Sequence, residues 1–480
     1  MVLDFFEKIS SIPRGSGNNE GISNFLVEFA KEHGLRYIQD DALNVVIYKD
    51  ATPGYDKCPP LIFQGHMDMV CEKTKESDHD FTKDPVKLII KDGFITADGT
   101  TLGADDGIAL AYMLDILCDD TLIHPPLEML FTTDEEVGML GAAAFDASHL
   151  KGRHMINLDS EDEGVFVCAC AGGITTKTTF DITRKPVCGV RVDIDIKGLQ
   201  GGHSGTDINR NRANAVLLGG RVLAQLTDNS FSLISINGGS KDNVIPNAAS
   251  ISLVVPAPEY EAFIDSFGSI ANTVKAELKT SESGLLFDIK PDDRENVQSY
   301  MALDDESCKK LLYYLCIVPN GVHVMSSDIP GMVESSSNLG IMRCEENKVV
   351  SCVSARSQKE SYIRYICKRL LSIAELIDAR FSTGGAYPGW DIKKESKFRD
   401  MLCKVYKEQS GREASVESIH AGLEGGIFSG KMSGVDIVSM GPDVIDIHTV
   451  NERASIESVK RMHTFLLKAV QEFALMNKGE

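Results

Sequence analysis

Apolar positions in the first 185 residues alternate between the periodicity of helices and the short runs of buried strands. Helical spacing covers 18–33 and 106–118, and apolar runs bounded by turn residues cover four further segments. These runs are 45–48, 61–64, 127–132 and 155–158. Strands and helices that alternate at this spacing predict a mainly parallel sheet with helices on both faces. Ligands bind such sheets at the carboxyl ends of the strands, so we expect the functional loops there.

From about residue 187 the pattern changes to alternating strands, as in VRVDIDI, with two strands after each helix. One such series of strands and helices runs over 187–290, and a similar order follows over 304–383. This order is typical of ferredoxin-like layers, so the sequence predicts an α+β region made of two tandem layers. The repeat is one of pattern only, because the two series share no residue-level similarity.

After YPGW the pattern of the first part returns. Its elements are a helix over 395–409, a strand over 435–440 and a helix over 456–476. The predicted fold class is therefore α/β, with residues 1–185 and 387–480 forming one domain and residues 186–386 inserted in it. Side chains from both ends of the chain should then meet on one sheet.

Composition and charge exclude several classes of protein. With 43% apolar and 25% charged residues, the 480-residue chain is neither fibrous nor disordered. No apolar run reaches the roughly 18 residues that a membrane helix needs, and the amino terminus lacks the pattern of a secretory signal. We therefore expect a cytoplasmic protein with no membrane partner. A net charge of −21 would repel nucleic acid, and the twelve cysteines form no CxxC pair, which favours reduced thiols without a chemical role.

The segment FQGHMDMV places His66 and Asp68 directly after the predicted strand 61–64. Residues two apart in an extended chain point to the same side. Asp68 can therefore accept a hydrogen bond from one ring nitrogen of His66 and leave the other free for a metal. A chance pair in a loop explains this motif equally well when it is taken singly.

The segment TLGADDGIALA places Asp105 and Asp106 at the start of an apolar helix, between Gly103 and Gly107. Two carboxylates at that position can cap the helix. The glycines, however, permit unusual backbone geometry, and a second carboxylate exceeds what capping needs and favours a bound cation.

Two further acidic segments follow predicted strands. Asp134, Glu135 and Glu136 come directly after strand 127–132, and Asp159 follows strand 155–158. Consecutive carboxylates can form an ordinary solvated turn. At the end of a strand they can also have separate roles, in which one carboxylate binds a metal and its neighbour acts as a general base.

A late histidine, His448, lies after an apolar segment and before the last helix. A single histidine of this kind is more often a surface or packed residue than a ligand. Taken jointly, the five segments supply two imidazoles and several carboxylates, which suit two divalent ions bridged by one carboxylate at about 3.5–4 Å.

The motifs HMD, GADDG, DEE, LDSE and His448 occur in the order and spacing of the co-catalytic zinc aminopeptidase, carboxypeptidase and aminoacylase superfamily. Over nearly the whole chain, the surrounding segments resemble the bacterial cytosolic Xaa-His (aminoacylhistidine) dipeptidases. These segments are FQGHMDMVCEK, TTLGADDGIALA, NLDSEDEG, GLQGGHSG, GGSKDNVIPN and IHAGLEGGIFSGK.

This resemblance implies a zinc-exopeptidase-like catalytic domain that carries an inserted lid domain and binds two zinc ions, with Co²⁺ or Mn²⁺ as alternatives. The ligands would be His66 and Asp159 for one ion, Glu136 and His448 for the other, and Asp105 between them. Asp68 would orient His66. Glu135 would be the base that activates water and later passes its proton to the leaving amine. A cis peptide bond after Asp105 is also implied.

The resemblance assigns further roles to polar residues outside the metal motifs. His203 matches the lid histidine that stabilises the tetrahedral intermediate, and Asn243 and Arg356 match groups for the oxyanion or the substrate carboxylate. Glu424 matches a position near the end groups of the substrate, whereas His420 is as well explained by a structural role. The stretches HTVNER and GLEGG depart from the usual Ser-Pro-Asp-Glu-like and GLECG patterns, which puts substrate detail in doubt.

The implied activity is hydrolysis of dipeptides, with Xaa-His dipeptides and β-alanyl-histidine as the expected substrates. A sibling broad dipeptidase or aminopeptidase, or an N-acyl amino acid deacylase, would use the same scaffold. A metal-binding protein without catalysis is disfavoured by the intact Glu135 beside Glu136. The resemblance leaves a homodimer open.

Overall fold

The computed structural model of the chain describes residues 2–226, 231–291, 297–327, 329 and 331–479. Its α-helices are α1 Val2–Ser10, α2 Glu20–Glu32, α3 Ala104–Cys118, α4 Leu140–Ala144, α5 Ala215–Gln225, α6 Tyr260–Glu277, α7 Asp305–Ile317, α8 Glu360–Leu376, α9 Lys397–Ser410, α10 Glu424–Lys431 and α11 Ile456–Met476. Within the described ranges, no helix combines the length and the apolar character that crossing a bilayer would require.

The strands are β1 Arg36–Gln39, β2 Val45–Lys49, β3 Leu61–His66, β4 Leu88–Lys91, β5 Phe94–Ala97, β6 Leu127–Thr132, β7 His154–Asn157, β8 Val165–Cys170, β9 Gly172–Asp181, β10 Arg184–Lys197, β11 Gly202–His203, β12 Ser232–Gly238, β13 Val244–Ile245, β14 Ala249–Val255, β15 Leu286–Pro291, β16 Gln298–Leu303, β17 Gly321–Met325, β18 Val333–Cys344, β19 Lys348–Ser357, β20 Arg380–Tyr387, β21 Ser415–Ile419, β22 Asp436–Ser439, β23 Val444–Ile445 and β24 Arg453–Ser455.

The chain divides into two compact units. The first unit comprises Met1–Cys170, Trp390–Ser418 and Leu423–Glu480, and the second comprises Ala171–Gly389 and Ile419–Gly422. By chain connectivity, the second unit is therefore inserted in the first.

An eight-stranded sheet in the order β1-β2-β6-β3-β7-β22-β8-β21 forms the centre of the first unit. Its four inner strands, β6, β3, β7 and β22, run parallel. Every residue of β3 and β6 is buried, because these strands carry large apolar side chains on both faces and helices cover both sides. The predicted parallel sheet is confirmed in these four strands, whereas β1 pairs with β2, β2 with β6 and β8 with β22 in antiparallel fashion.

Helix α3 lies against β3 and is buried on nearly all sides, as an apolar circumference requires. Leu110, Met113 and Leu114 are fully buried in the core of the first unit. The start of the helix is fixed to the end of the strand, since the His66 amide donates to Oδ2 of Asp106 at 3.1 Å. The first acidic residues of α3 are thereby held beside the carboxyl end of β3.

The second unit contains a ten-stranded sheet whose main path is β15-β10-β14-β12-β18-β19-β9-β20. The first four strands form one ferredoxin-like layer with helices α5 and α6 between them in the chain. The last four form another with α8, and the two layers join where Gly238 of β12 pairs with Met342 of β18. The predicted pair of layers is present, but the second layer takes its inner strand β9 from before the first layer in the chain.

This nesting explains where the two units divide. The predicted boundary at 185/186 falls inside β10, whereas the structure divides at 170/171, because β9 pairs with β19 and β20. At the other end, the division lies at 389/390 rather than 386/387. Residues Ile419–Gly422 also belong to the second unit, which no sequence pattern indicates.

Candidate metal centre

Three neighbouring parallel strands deliver acidic and imidazole side chains to one edge of the sheet in the first unit. His66 ends β3, Glu135 and Glu136 follow β6, and Asp159 follows β7. Asp105 reaches the same place from the start of α3, and His448 comes after β23. In the described part of the chain, three groups place ligand atoms within 4.8 Å of one another; these are His66/Asp106/Asp159, His66/Glu135/Glu136 and Asp105/Glu136/His448.

Asp105 lies between the two histidines. Its Oδ1 is 3.1 Å from Nε2 of His66, and its Oδ2 is 3.0 Å from Nε2 of His448. The Asp105–Asp106 peptide is cis, as the resemblance implies. Burial would raise the pKa of Asp105, but hydrogen bonds with His448 and His66 outweigh it and leave the pKa below its usual value. One carboxylate thus faces both imidazoles, which is the arrangement expected of a bridging ligand.

His66 is almost fully buried, and its two ring nitrogens have different surroundings. Nδ1 lies 3.2 Å from the Asp68 carbonyl and 3.4 Å from Asp68 Oδ1, whereas Nε2 faces Asp105 and lies 3.7 Å from Asp159 Oδ1. Burial lowers the pKa of His66, but its hydrogen bonds with Asp105 and Asp68 more than compensate and leave the pKa well above its usual value. A proton on Nδ1 would leave Nε2 free to bind a metal.

Asp68 links the histidine to the acidic loop after β6. Its Oδ1 accepts the amide of Glu135 at 3.0 Å, and its Oδ2 accepts the hydroxyl of Ser16 at 2.8 Å. Asp68 is fully buried, and hydrogen bonds from His66 and Ser16 lower its pKa against the effect of burial. The predicted orienting position beside His66 is therefore occupied by a charged carboxylate.

His448 and Glu136 show that the donor set fits a divalent ion. Nε2 of His448 is 3.1 Å from Oε1 of Glu136, yet that buried oxygen has no hydrogen-bond partner. The imidazole nitrogen and the carboxylate oxygen approach each other without hydrogen-bond geometry. Together with the neighbouring Asp105 carboxylate, they are placed as the ligands of a single cation would be. Nitrogen and carboxylate oxygen donors are those that zinc prefers, and cobalt or manganese can share them.

The carboxylates of this centre lie close together and are largely shielded from solvent. Burial raises the pKa of Asp159 well above its usual value, and the nearby Asp105 carboxylate adds to the effect. Burial likewise raises the pKa of Glu135 to about 8, with contributions from Glu424 and Glu136. Buried charges of one sign need a compensating cation, and two histidines cannot supply enough positive charge to balance them.

Glu424 is fully buried beneath the metal residues. Its Oε2 accepts the side-chain amide of Gln64 at 2.6 Å and the hydroxyl of Thr132 at 2.7 Å. Burial raises its pKa to about 8. This position does not fit the predicted contact with a substrate, because both oxygens are out of reach of solvent. The sequence signal that was missed is Gln64 itself, an amide in the middle of an otherwise apolar buried strand.

The second unit holds the other predicted residues, and its two-stranded antiparallel sheet of β11 and β13 places His203 opposite Val244. The Ser204 amide donates to the Asn243 carbonyl at 2.8 Å, so Asn243 lies beside this histidine in the fold. The amides of Gly205 and Thr206 both donate to Nδ1 of His203 at 3.3 Å. The ring proton of neutral His203 is therefore on Nε2.

Arg356 and His420 lie near His203 in the second unit. Arg356 is buried and donates to the Tyr387 hydroxyl at 2.6 Å, and Nε2 of His420 is 2.7 Å from the Ser336 hydroxyl. Burial, and then the Arg356 charge, lower the pKa of His203 to about 4 and that of His420 to about 3. Both imidazoles are thus neutral near pH 7. Tyr387 and Ser336 were not predicted, because neither has a recognisable motif.

Comparison with known proteins identifies the family. The model of "Peptidase family M20/M25/M40" matches residues 62–472. The chain belongs to this peptidase family. This membership confirms the expectation of a hydrolase and the predicted fold class.

Relatives match over nearly their full length. The chain is 35% identical over 475 residues to the cytosol non-specific dipeptidase of Escherichia coli, which covers 98% of this chain and 96% of the relative. It superimposes on the crystal structure of aminoacylhistidine dipeptidase from Vibrio alginolyticus with a TM-score of 0.88, at 36% identity and with coverage of 98% and 96%. A tripeptidase structure from Staphylococcus aureus shares the fold, at 18% identity, a TM-score of 0.58 and coverage of 99% and 98%.

Proposed function

We propose that the chain is a dipeptidase that uses two divalent metal ions, most simply zinc, and that Xaa-His dipeptides, including β-alanyl-histidine, are among its substrates. The observation that carries this proposal is the placement of Asp105 between His66 and His448, with Glu135 on the adjacent loop. The names of the Escherichia coli and Vibrio alginolyticus relatives support a dipeptide substrate. The name of the first of them also supports a cytosolic location.

The proposed ligands are those of the metal centre: His66, Asp105, Glu136, Asp159 and His448. Bound there, the ions would supply Lewis acidity towards the peptide carbonyl and would lower the pKa of water at the site. Glu135 would take the proton of the attacking water and return it to the leaving amine. Asp68 would keep His66 in one tautomer and hold the Glu135 amide in place.

Three further predicted site residues, His203, Asn243 and Arg356, belong to the second unit. We propose that neutral His203 donates from Nε2 to the developing oxyanion, since its Nδ1 is already engaged by two amides. Arg356 would bind the substrate carboxylate, for which a guanidinium is well suited, with Asn243 as a further polar contact. Glu424 would act indirectly, by fixing Gln64 and Thr132 beneath the metal residues.

A broad dipeptidase is the second candidate, because the Escherichia coli relative carries the name of a non-specific dipeptidase. Such an enzyme would have the same metal centre and would differ only in the substrate side chains that it accepts. A homodimer, which the sequence resemblance leaves open, stays a prediction.

Metal-stripped protein reconstituted with zinc tests both candidates. It would be offered β-alanyl-histidine, glycyl-histidine, a histidine-free dipeptide, a tripeptide and an N-acetyl amino acid in parallel. Zinc-dependent cleavage confined to histidine dipeptides supports the narrow specificity, and equal cleavage of the histidine-free dipeptide supports the broad one. Cleavage of the N-acetyl amino acid alone would replace the proposal by a deacylase, and no cleavage of any substrate would contradict it.

A further inference from the structure

The segment Arg14–Asn19, sequence RGSGNN, has no role in the proposed chemistry and lies outside residues 62–472, which the family model matches. It nevertheless contacts three of the loops that carry the metal centre. Ser16 donates to Asp68, and Asn19 donates to Oδ1 of Asp134 at 2.7 Å, one residue before Glu135. Arg14, at the start of the segment, is almost fully buried.

The hydrogen bonds of Arg14 join the loops after β3 and before α3. One amino group donates to the carbonyls of Met67 and Asp68, at 2.9 and 3.1 Å, and the other donates to the carbonyl of Gly103. The Arg14 carbonyl also accepts the amide of Met69 at 3.1 Å. A single side chain thus fixes the backbone beside His66 to the backbone beside Asp105.

Gly103 and Gly107 make room for this guanidinium. A Cβ atom built at either glycine would lie 2.6 Å from the same nitrogen of Arg14. The motif GADDG therefore needs glycine at both ends for the approach of an arginine, in addition to the left-handed backbone at Gly103, where φ is 70°.

Glu452 holds the same loop from the other side. Its Oε2 accepts the amides of Leu102 and Gly103 at 2.8 and 3.0 Å, and its Oε1 accepts the amide of Ala104 at 2.8 Å. Glu452 is buried, and its charge is near that of Arg14. The backbone that leads into Asp105 is therefore held by a carboxylate on its amides and by a guanidinium on a carbonyl.

We propose that Arg14 and Glu452 are positioning residues that set the distance between the ligands His66 and Asp105. Neither residue binds a metal or touches the substrate. Only an arginine can make these bonds, because its planar fork directs several donors at fixed angles, whereas a lysine offers a compact charge. This inference rests on the proposed metal centre.

The experiment compares Arg14→Lys and Glu452→Gln with the wild type for zinc affinity, measured by competition with a chromophoric chelator. The visible spectrum of the Co²⁺-loaded protein reports ligand geometry. Partners that orient metal ligands typically contribute about 10–100-fold to metal affinity. We expect weakening of that size in both variants, with an altered Co²⁺ spectrum.

Matched controls separate positioning from stability. Glu128 is buried and accepts the amides of Lys151 and Gly152 at 3.0 Å, and Arg399 donates to the carbonyls of Lys393 and Lys394. Glu128→Gln and Arg399→Lys should lower the melting temperature of the metal-free protein as the test variants do, and should bind zinc like the wild type.

Two results would overturn the inference. Wild-type zinc affinity in both test variants would contradict it, and so would loss of the folded state in both while the controls fold, since the role would then be structural. Failure of the wild type to bind zinc would instead contradict the proposed function on which the inference rests. If only Arg14→Lys fails to fold, the zinc affinity and the Co²⁺ spectrum of Glu452→Gln test the inference.

Discussion

Asp105 and Glu135 show how position separates the roles of two similar carboxylates. Against the effect of burial, hydrogen bonds with His448 and His66 lower the pKa of Asp105, whereas burial and the Glu424 and Glu136 carboxylates raise that of Glu135 to about 8. Paired carboxylates whose surroundings move their pKa values apart are typical of sites in which one is a fixed charge and the other transfers a proton. The sequence places both residues but does not distinguish their surroundings.

The variant Glu135→Gln tests the proposed base. We expect it to retain two zinc ions, because Glu135 is not one of the proposed ligands, and to lose about 10²–10⁴-fold in kcat. Zinc content and steady-state kinetics on the best dipeptide measure the two effects. Exposed Glu417 provides a matched control as Glu417→Gln. A kcat close to that of the wild type would remove Glu135 from the mechanism.

The pH dependence of stability should report on His420. Burial lowers its pKa to about 3, so at mildly acidic pH the unfolded chain binds a proton that the folded chain does not. Stability then falls as pH falls from about 6.5 towards the folded pKa, by about 1.4 kcal/mol per pH unit for one proton. In His420→Gln the slope should decrease by that amount, as followed by urea unfolding between pH 4 and 6.5. An unchanged slope would show that His420 is protonated in the folded state.

At the scale of elements, the residues at which an element begins and ends were easier to predict than the strands with which a strand pairs. Strand β6 and helix α11 begin and end at the predicted residues, because their apolar periodicity is continuous and their boundaries carry turn residues or a cap. Residues 172–181, by contrast, fall within the predicted first domain, whereas strand β9, which they form, belongs to the second unit. Its pairing with β19 joins residues far apart in the chain, and no local pattern carries that information.

Substitution by alanine should have opposite effects on the free energy of unfolding at Gly65 and at Gly268. A Cβ at Gly65 of β3 would lie 2.6 Å from Oδ2 of Asp106 and 2.8 Å from Cβ of Ala109, so Gly65→Ala should push α3 from the strand. Overpacking of this kind costs about 1–3 kcal/mol. Gly268, inside α6, has open space around the same atom, and Gly268→Ala should gain about 0.5–1 kcal/mol. Denaturant unfolding of the two variants compares them; stabilisation by Gly65→Ala would contradict the close packing.

At the scale of the whole molecule, the metal centre draws on residues from 66 to 448 of the chain. Its ligands come from the end of β3, from the loops after β6 and β7, from the start of α3, and from the loop after β23. Bound ions would therefore join the two chain segments of the first unit that flank the inserted second unit. Without the ions, the buried carboxylates repel one another.

Metal removal should consequently lower thermal stability. Ions that bind only the folded chain stabilise it by about 2.7 kcal/mol at a free concentration of one hundred times Kd. We expect a lower melting temperature after chelation, restored by zinc, with Glu135→Gln behaving like the wild type and His448→Ala showing a smaller response. A melting temperature that is independent of zinc would contradict metal binding between the two segments.

The sequence by itself determined the fold class, the inserted arrangement and the identity of the candidate ligands. Strand and helix periodicity are local, and the chemistry of histidine and aspartate is readable wherever a strand ends. Only the tertiary structure decided that Glu424 lies beneath the site, and that Arg14 and Glu452 hold the loops of His66 and Asp105. These contacts span many residues and use backbone carbonyls and amides, which every sequence contains and which become specific only when the fold brings them together.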